Sequence, residues 1–253
     1  MEFDPAVTFG DDYLYFYEES IDDGRSDDDT AQILGLLDLP ARARLLDAPC
    51  GHGRISRRLA SVGLEVTGID LSASFIEMAQ SVPTPTGGGG STRYIQGDLR
   101  QLPAAVTESG PFDAVICWYS SFGYWDDEDC RRVLSSFRQV LRRGGTLLIE
   151  TMHHDGTVRH FTPAPDATVL RRGDDSLVDL SHFDVLSGRL VTERTVHRDG
   201  QMRRSTHFMR LPTPPEWTAW LEAAGFADVT FLSGEGGPLD VDSWVVVVKA
   251  IAE

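Results

Sequence analysis

The sequence contains few cysteines, and those present form none of the usual patterns. Only Cys50, Cys117 and Cys130 occur among its 253 residues, far apart and with no CxxC pair or histidine at ligand spacing. This spacing argues against a disulfide framework and a zinc site. We therefore expect a reducing compartment and no bound metal.

Long hydrophobic runs are also missing. No apolar stretch approaches the ~20 residues that a membrane-spanning helix needs, and the N-terminus lacks the basic-then-apolar order of a signal peptide. These absences predict a cytoplasmic protein without a membrane partner.

Positive charge is scarce, with 23 Lys and Arg against 39 Asp and Glu and a formal net charge of −16. Such a surface repels a phosphate backbone, so we expect no nucleic-acid partner. Residues 1–30 carry eleven acidic side chains and one basic one, Arg25. Aromatic residues lie in the same stretch, namely Tyr13, Tyr15, Phe16 and Tyr17. We expect a largely solvated acidic and aromatic lid arm, part of which folds onto the protein.

Strands and helices alternate in the first 152 residues. Predicted strands cover 44–48, 64–70, 93–98, 112–119 and 146–151, and predicted helices cover 29–39, 54–63, 72–81 and 126–145. The first helix is expected to begin behind Asp29 and Thr30, and the last to be closed by glycine. This alternation predicts an α/β fold, a mostly parallel sheet with helices on both faces.

Residues 160–210 differ, because their apolar and polar side chains alternate between turn residues. This pattern predicts antiparallel β-hairpins, inserted after the fifth strand. A helix over 212–226 and a final pair of strands follow. We expect a single domain over 1–253, in which the hairpins either cover an acceptor pocket or form the surface of a homodimer.

The most informative motif is LLDAPCGHG, residues 45–53. Its strand leads Asp47 into a turn where Gly51 and Gly53 have no side chains, so a ligand can approach the backbone. Asp70 ends the second strand, 19 residues after Gly51, where a carboxylate accepts hydrogen bonds from the hydroxyls of a ribose. The two features together predict a nucleoside site.

The third strand ends in a similar way. Asp98, in QGDLR, can accept a hydrogen bond from an adenine amino group, and the N–H of Leu99 can donate to the ring. Ser56 occupies the place of the third glycine of a dinucleotide motif, which disfavours a nicotinamide enzyme. An adenosyl cofactor without phosphate agrees better with these residues.

The motifs together resemble the class I S-adenosylmethionine-dependent methyltransferases, in particular their bacterial small-molecule branch. The segments that carry the resemblance are FGDDYLYFYEE, LLDAPCGHGR, VTGIDLS, QGDLRQLP, FDAVICWYSSFGYWDD and RRGGTLLIE. The resemblance implies a Rossmann-like fold, with a seven-stranded sheet ending in an antiparallel strand pair. His52 and Pro49 depart from the usual glycine turn, and the absent Asn/Asp-Pro-Pro-Tyr tetrapeptide argues against methylation of nucleobases or amide nitrogens.

The resemblance also implies S-adenosylmethionine as cofactor and assigns its contacts. The glycine turn would hold the methionine part, Asp70 the ribose and Asp98 the adenine, while Tyr17 or Tyr13 would cover the cofactor. The full predicted cofactor-binding set is Tyr13, Tyr17, Asp47, Ala48, Gly51, Gly53, Asp70, Leu71, Asp98, Leu99, Cys117 and Trp118.

Few catalytic groups are required, because a sulfonium methyl group is already a strong electrophile. His153 and His154 follow the fifth strand and are the predicted bases; one of two neighbours usually points away, and we favour His153. Tyr119, after the fourth strand, completes the predicted catalytic set, since its ring could stack on the cofactor or the acceptor or stabilise developing positive charge. Surface histidines and a packing tyrosine remain the alternative.

The sequence thus predicts methyl transfer to a nitrogen, oxygen or carbon atom of a small molecule in bacterial specialised metabolism, with S-adenosylhomocysteine as the product. The alternative is a methyltransferase-like protein that binds the cofactor as a scaffold without transfer, such as a cyclase or a binding module. Acceptor-dependent formation of S-adenosylhomocysteine separates the two.

Overall fold

The computed structural model describes residues 9–84, 88–161 and 164–253; residues 1–8 of the predicted arm lie outside this part. The helices are α1 (Asp11–Tyr17), a 3-10 turn (Glu18–Ile21), α2 (Asp23–Leu36), α3 (Arg54–Ser61), α4 (Ala73–Ser81), α5 (Ala104–Thr107), α6 (Asp127–Val140), α7 (His154–Phe161) and α8 (Pro214–Ala223). The strands are β1 (Arg44–Asp47), β2 (Glu65–Asp70), β3 (Ser91–Gln96), β4 (Phe112–Cys117), β5 (Leu141–Met152), β6 (Asp166–Arg172), β7 (Asp175–Asp184), β8 (Arg189–Arg198), β9 (Gln201–Arg210), β10 (Phe226–Ser233) and β11 (Val245–Ala252).

The main sheet has seven strands in the order β10-β11-β5-β4-β1-β2-β3. Strands β1 to β5 pair in parallel, whereas β11 pairs antiparallel with both β5 and β10. This confirms the predicted sheet and its terminal antiparallel pair. The chain builds outward from β1 to β3 and then returns to β4, so the topological switch lies between β1 and β4.

Apolar helix faces cover both sides of this sheet. Ile55 and Leu59 of α3 belong to one buried cluster, and Val133, Leu134 and Phe137 of α6 to the other. The predicted βαβ order therefore produces a sheet that is buried on both faces, as parallel sheets require.

The N-terminal arm is more ordered than we predicted. Helix α2 begins at Asp23, not behind Asp29, because the side chain of Asp22 accepts a hydrogen bond from the N–H of Arg25 at 2.8 Å and caps the helix. Asp29 is instead a buried member of this helix. Asp12 pairs with Arg198 and Arg203 of the second sheet described below, at 3.0 and 2.7 Å. Much of the acidity of the arm is thus matched by distant arginines.

Helix α6 and β5 meet without the predicted glycine stop. The helix ends at Val140, and β5 begins at Leu141, so Gly144 and Gly145 lie inside the strand. The register of β5 against β4 shifts between Phe112 and Ala114, and Gly144 has a φ of +73° there. The glycines accommodate this irregularity, since a left-handed residue fits such a bulge.

The predicted hairpins form a separate antiparallel sheet in the order β6-β7-β8-β9, which we call the cap sheet. Its inner face carries four buried cross-strand pairs of β7 and β8, which we call rungs: Leu177 opposite Val196, Asp179 opposite Arg194, Ser181 opposite Thr192, and Phe183 opposite Leu190. Two apolar rungs therefore enclose two polar ones. Among the described helices, none is long and apolar enough to cross a membrane.

Candidate active site

A cavity lies at the carboxyl ends of β1 to β4. It measures about 1040 Å³, including space at its mouth that is open to solvent. Many predicted site residues line it together: Tyr13, Asp47, Gly51, Asp70, Leu71, Asp98, Leu99, Trp118 and Tyr119. Ligands of open α/β sheets bind in the crevice at the topological switch, so the sheet order itself gathers these residues.

The turn between β1 and α3 depends on two glycines with left-handed backbone. Gly51 has a φ of +52°, and a Cβ there would meet no protein atom within 4 Å. Gly53 has a φ of +79°, and its Cβ would lie 2.6 Å from the hydroxyl oxygen of Tyr94. Gly51 therefore leaves open space along the cavity, whereas Gly53 serves packing beneath the turn and does not line the cavity.

Asp70 is a buried carboxylate that organises this turn. Its Oδ2 accepts a hydrogen bond from the N–H of Gly51 at 2.9 Å, and its Oδ1 accepts one from the N–H of Ser72 at 2.8 Å. Burial raises the pKa of Asp70, and these backbone bonds partly oppose the rise. A carboxylate has four lone pairs, so Asp70 keeps acceptor capacity for a ligand hydroxyl beside its backbone bonds.

Asp47 lies beneath the turn and accepts a hydrogen bond from the hydroxyl of Ser56. Burial raises the pKa of Asp47 to about 7, although the Ser56 bond and Arg54 lower it. The sequence identified Ser56 only as a missing glycine. In the structure it is the buried partner of a carboxyl group.

Asp98 lies at the cavity beside Arg100, which binds its carboxylate through two guanidinium nitrogens. Burial raises the pKa of Asp98, but the hydrogen bonds from Arg100 outweigh this effect and the pKa is lowered. Asp98 is therefore ionised at neutral pH and offers only hydrogen-bond acceptors.

Aromatic rings close one side of the cavity and form what we call the aromatic wall: Phe9, Tyr13 and Tyr124. The ring of Phe9 lies 5.3 Å from Tyr13 and 5.1 Å from Tyr124, edge to face. Tyr17 stacks on Tyr13 at 4.8 Å from outside the cavity. Of the two tyrosines that the sequence offered, Tyr13 is the one that reaches the cavity. Burial raises the pKa of Tyr13 and Tyr124, so both remain protonated at neutral pH.

The loop after β4 is strained at two consecutive residues. Tyr119 and Ser120 have φ values of +62° and +51°, which are unusual for residues other than glycine. The guanidinium of Arg54 lies 4.8 Å from the Tyr119 ring centre, and buried Glu150 accepts a hydrogen bond from the N–H of Ser120 at 3.2 Å. These contacts hold Tyr119 at the cavity.

Trp118 lines the cavity with a donor that the protein does not use. Its side chain is 3% exposed, and its Nε1 is buried with no hydrogen-bond partner in the described part of the chain. An unsatisfied buried donor costs about 1–3 kcal/mol. A ligand acceptor atom would remove this cost.

Neither predicted histidine base lines the cavity. Strand β5 continues to Met152, where it pairs with Val245 of β11, and so carries the next residues past the site. His153 is buried, with Nδ1 3.1 Å from the carbonyl oxygen of Ser243. His154 begins α7, with its ring 5.2 Å from that of Phe183. Ala48 and Cys117 are also outside the lining, since both are fully buried in the sheet core.

Sequence reasoning missed other lining residues: Phe9, Ile21, Pro49, Cys50, His52, Arg54, Ile55, Ser72, Phe75, Ser121, Tyr124 and Trp125. Arg54 directly follows the glycine turn, so its position gave a signal. His52 faces the cavity, where burial and nearby Arg57 lower its pKa to about 4. Ile21 and Phe75 gave no signal in the sequence, because only the packing of the arm and α4 brings them to the cavity.

Residues 45–145 match a family described as a methyltransferase domain. The ubiquinone biosynthesis O-methyltransferase of Xanthomonas axonopodis pv. citri (strain 306) is 32% identical over 189 residues, 74% of this chain and 63% of that protein. This chain spans about half the length, or less, of the first curated relatives that it matches.

Solved structures share the fold over nearly the whole chain. A S-adenosylmethionine-dependent methyltransferase from Clostridium acetobutylicum ATCC 824 has a TM-score of 0.75 at 14% identity, covering 98% of this chain and 99% of that one. The sugar N-methyltransferase KedS8 from Streptoalloteichus sp ATCC 53650 has a TM-score of 0.66 at 20% identity, covering 95% and 92%. Residues 45–145 thus match a methyltransferase domain, and the chain has the fold of S-adenosylmethionine-dependent methyltransferases.

The cavity of this methyltransferase domain fits the cofactor of its class. Gly51, with open space at its Cβ position, Asp70 and Trp118, whose buried Nε1 has no partner among the described residues, all line this one cavity. The carboxylates of Asp70 and Asp98 also suit a cationic ligand. Within the described residues, no group of His, Cys, Asp or Glu side chains is placed to hold a metal ion.

Proposed function

We propose that this methyltransferase domain transfers a methyl group from S-adenosylmethionine to a small molecule, as part of bacterial specialised metabolism. The observation that carries the proposal is one cavity in which the carboxylates of Asp70 and Asp98 adjoin the aromatic wall. The carboxylates and the Gly51 turn would hold the cofactor, and the wall would exclude water from the acceptor.

We further propose nitrogen as the acceptor atom. A hydroxyl acceptor needs a base that removes its proton during transfer, whereas a free amine already has an available lone pair. Asp47, whose pKa is about 7, lies beneath the glycine turn and is engaged by Ser56. Within the aromatic wall, Tyr13 and Tyr124 are protonated phenols, and the low pKa of nearby His52, about 4, makes it a weak base. These groups are poorly suited to deprotonating a hydroxyl but can accept a hydrogen bond from, or pack around, an amine.

The residues of the wall also suit the charge that N-methylation produces. When bound, S-adenosylmethionine supplies an electrophilic methyl group whose bond to sulfur breaks with the electron pair left on sulfur. The acceptor nitrogen would gain the new bond to carbon and a positive charge, and its surplus proton would pass to bulk solvent once the product has left the cavity. Aromatic faces such as those of Phe9 and Tyr13 stabilise a cation by about 0.5–2 kcal/mol each.

We assign acceptor specificity to the cap sheet. Two contacts bring this sheet close to the aromatic wall. Asp179 of a polar rung accepts from Tyr17 at 3.4 Å, and the ring of His207 in β9 lies 6.3 Å from that of Tyr124. The Nδ1 of His207 is buried with no partner among the residues described. The structural neighbour KedS8 is a sugar N-methyltransferase, and a polar inner face agrees with a sugar as the acceptor.

The test combines binding with turnover. Calorimetric titration of S-adenosylhomocysteine tests the cofactor site, and mass spectrometry detects transfer to amino sugars and to sugars with a hydroxyl in place of the amine. Methylation of the amines alone supports the proposal, and methylation of the hydroxyl analogues alone contradicts the choice of nitrogen. Cofactor binding without any acceptor-dependent S-adenosylhomocysteine would favour the scaffold alternative.

A further inference from the structure

Asp98 is fixed by an unusually complete set of contacts from one neighbour. Its Oδ2 accepts from Nη2 of Arg100 at 2.7 Å, and Nε of Arg100 lies 3.1 Å from both carboxylate oxygens. The backbone N–H of Arg100 donates to Oδ1 at 2.8 Å. Such a fork allows the carboxylate only one orientation.

Arg100 is itself anchored to helix α6. Its Nη1 donates to Oδ2 of Asp129 at 3.0 Å, and its carbonyl oxygen accepts from the hydroxyl of Ser136 at 3.3 Å. Asp129 lies in the first turn of α6, where its N–H is capped by Asp126 at 2.8 Å. Helix α6 therefore fixes the orientation of Asp98 through Arg100.

A carboxylate held in this way would distinguish a purine that donates a hydrogen bond from one that accepts it. The fork and the backbone N–H supply three donors to the four lone pairs of the carboxylate, so one acceptor position is left for a ligand. An adenine amino group donates to such an acceptor, whereas the carbonyl oxygen of hypoxanthine would meet a second acceptor and be repelled. A mobile carboxylate could turn away from that oxygen.

We propose that Arg100 is a positioning residue that makes Asp98 select adenosyl over inosyl cofactors. This inference rests on the proposed function, because it takes the ligand of the cavity to be S-adenosylmethionine. Arg100 contributes through the orientation of Asp98, which is the group that would contact the base.

The experiment compares two ligands, S-adenosylhomocysteine and S-inosylhomocysteine, by calorimetric titration. The wild type is expected to prefer the adenosyl ligand by at least ~10-fold, as for loss of a charged hydrogen bond. Arg100→Gln and Arg100→Lys should both reduce this ratio several-fold, because neither side chain can form the fork. Arg132→Gln is the matched control, since Arg132 pairs with the same Asp129 at 2.6 Å but does not contact Asp98.

The ratio separates positioning from a merely structural role. A structural role would weaken both ligands equally, and an unchanged ratio in both Arg100 variants would overturn the inference. A full ratio in Arg100→Lys alone would overturn it too, since charge would then suffice without the fork. A wild type that binds both ligands equally would overturn the inference and leave the proposed function standing, whereas a wild type that binds neither would overturn both.

Discussion

Removal of the Asp70 carboxylate is the sharpest test of the cofactor site. Its oxygens accept from backbone N–H groups of Gly51 and Ser72, at 2.9 and 2.8 Å, and the carboxylate keeps acceptor capacity for a ribose hydroxyl. A hydrogen bond to a charged group contributes about 1.5–3 kcal/mol. Losing one such bond in Asp70→Asn should therefore raise the Kd for S-adenosylhomocysteine roughly 10- to 150-fold.

Calorimetry measures this change directly, with thermal unfolding as the check that the variant is folded. Asp113→Asn is the control, because Asp113 accepts from the N–H of Arg44 at 2.8 Å near the amino end of β4, away from the cavity. Asp113→Asn removes the same charge at the amino ends of the parallel strands, whereas the cavity lies at their carboxyl ends. A folded Asp70→Asn variant with a Kd within about twofold of the wild type, or matched by Asp113→Asn, would refute the assignment.

Three further predictions test the surroundings of the site. Burial raises the pKa of Asp47 to about 7, so the stabilisation from its bound proton is complete below about pH 4 and is lost as pH rises through about 7. The melting temperature of the wild type should therefore fall between pH 4 and pH 7, and Asp47→Asn should make this fall smaller. An equal fall in the variant and the wild type would contradict the prediction. Tyr13→Ala removes the ring that Tyr17 stacks on at 4.8 Å and should weaken S-adenosylhomocysteine binding in calorimetry. Tyr13→Phe keeps the ring and should bind as the wild type does. If both variants lose the same affinity, the hydroxyl and not the ring is responsible. Arg54→Met removes the 2.7 Å partner of buried Asp29 and leaves it Arg25 at 3.0 Å, so it should lower the free energy of unfolding in urea by about 1–3 kcal/mol, with partial recovery in Arg54→Met/Asp29→Asn; no recovery would count against the ion pair as the cause.

Local patterns in the sequence determined the architecture of this protein. Alternating strands and helices led to the parallel sheet, and period-two alternation between turn residues led to the cap sheet. The positions of Asp70 and Asp98 at strand ends also sufficed to bring them together, because parallel strands share a carboxyl edge. For these features, sequence spacing and spatial position are linked by the geometry of the element itself.

Tertiary packing alone decided the remaining features, because they depend on residues far apart in the chain. The order of the arm follows from Asp12 meeting Arg198 and Arg203, more than 180 residues later. His153 misses the cavity because β5 extends to pair with β11, which no local pattern near the histidine encodes. The burial that raises the pKa of Asp47 likewise belongs to the assembled fold, since desolvation depends on every element packed around a group and not on its neighbours in sequence.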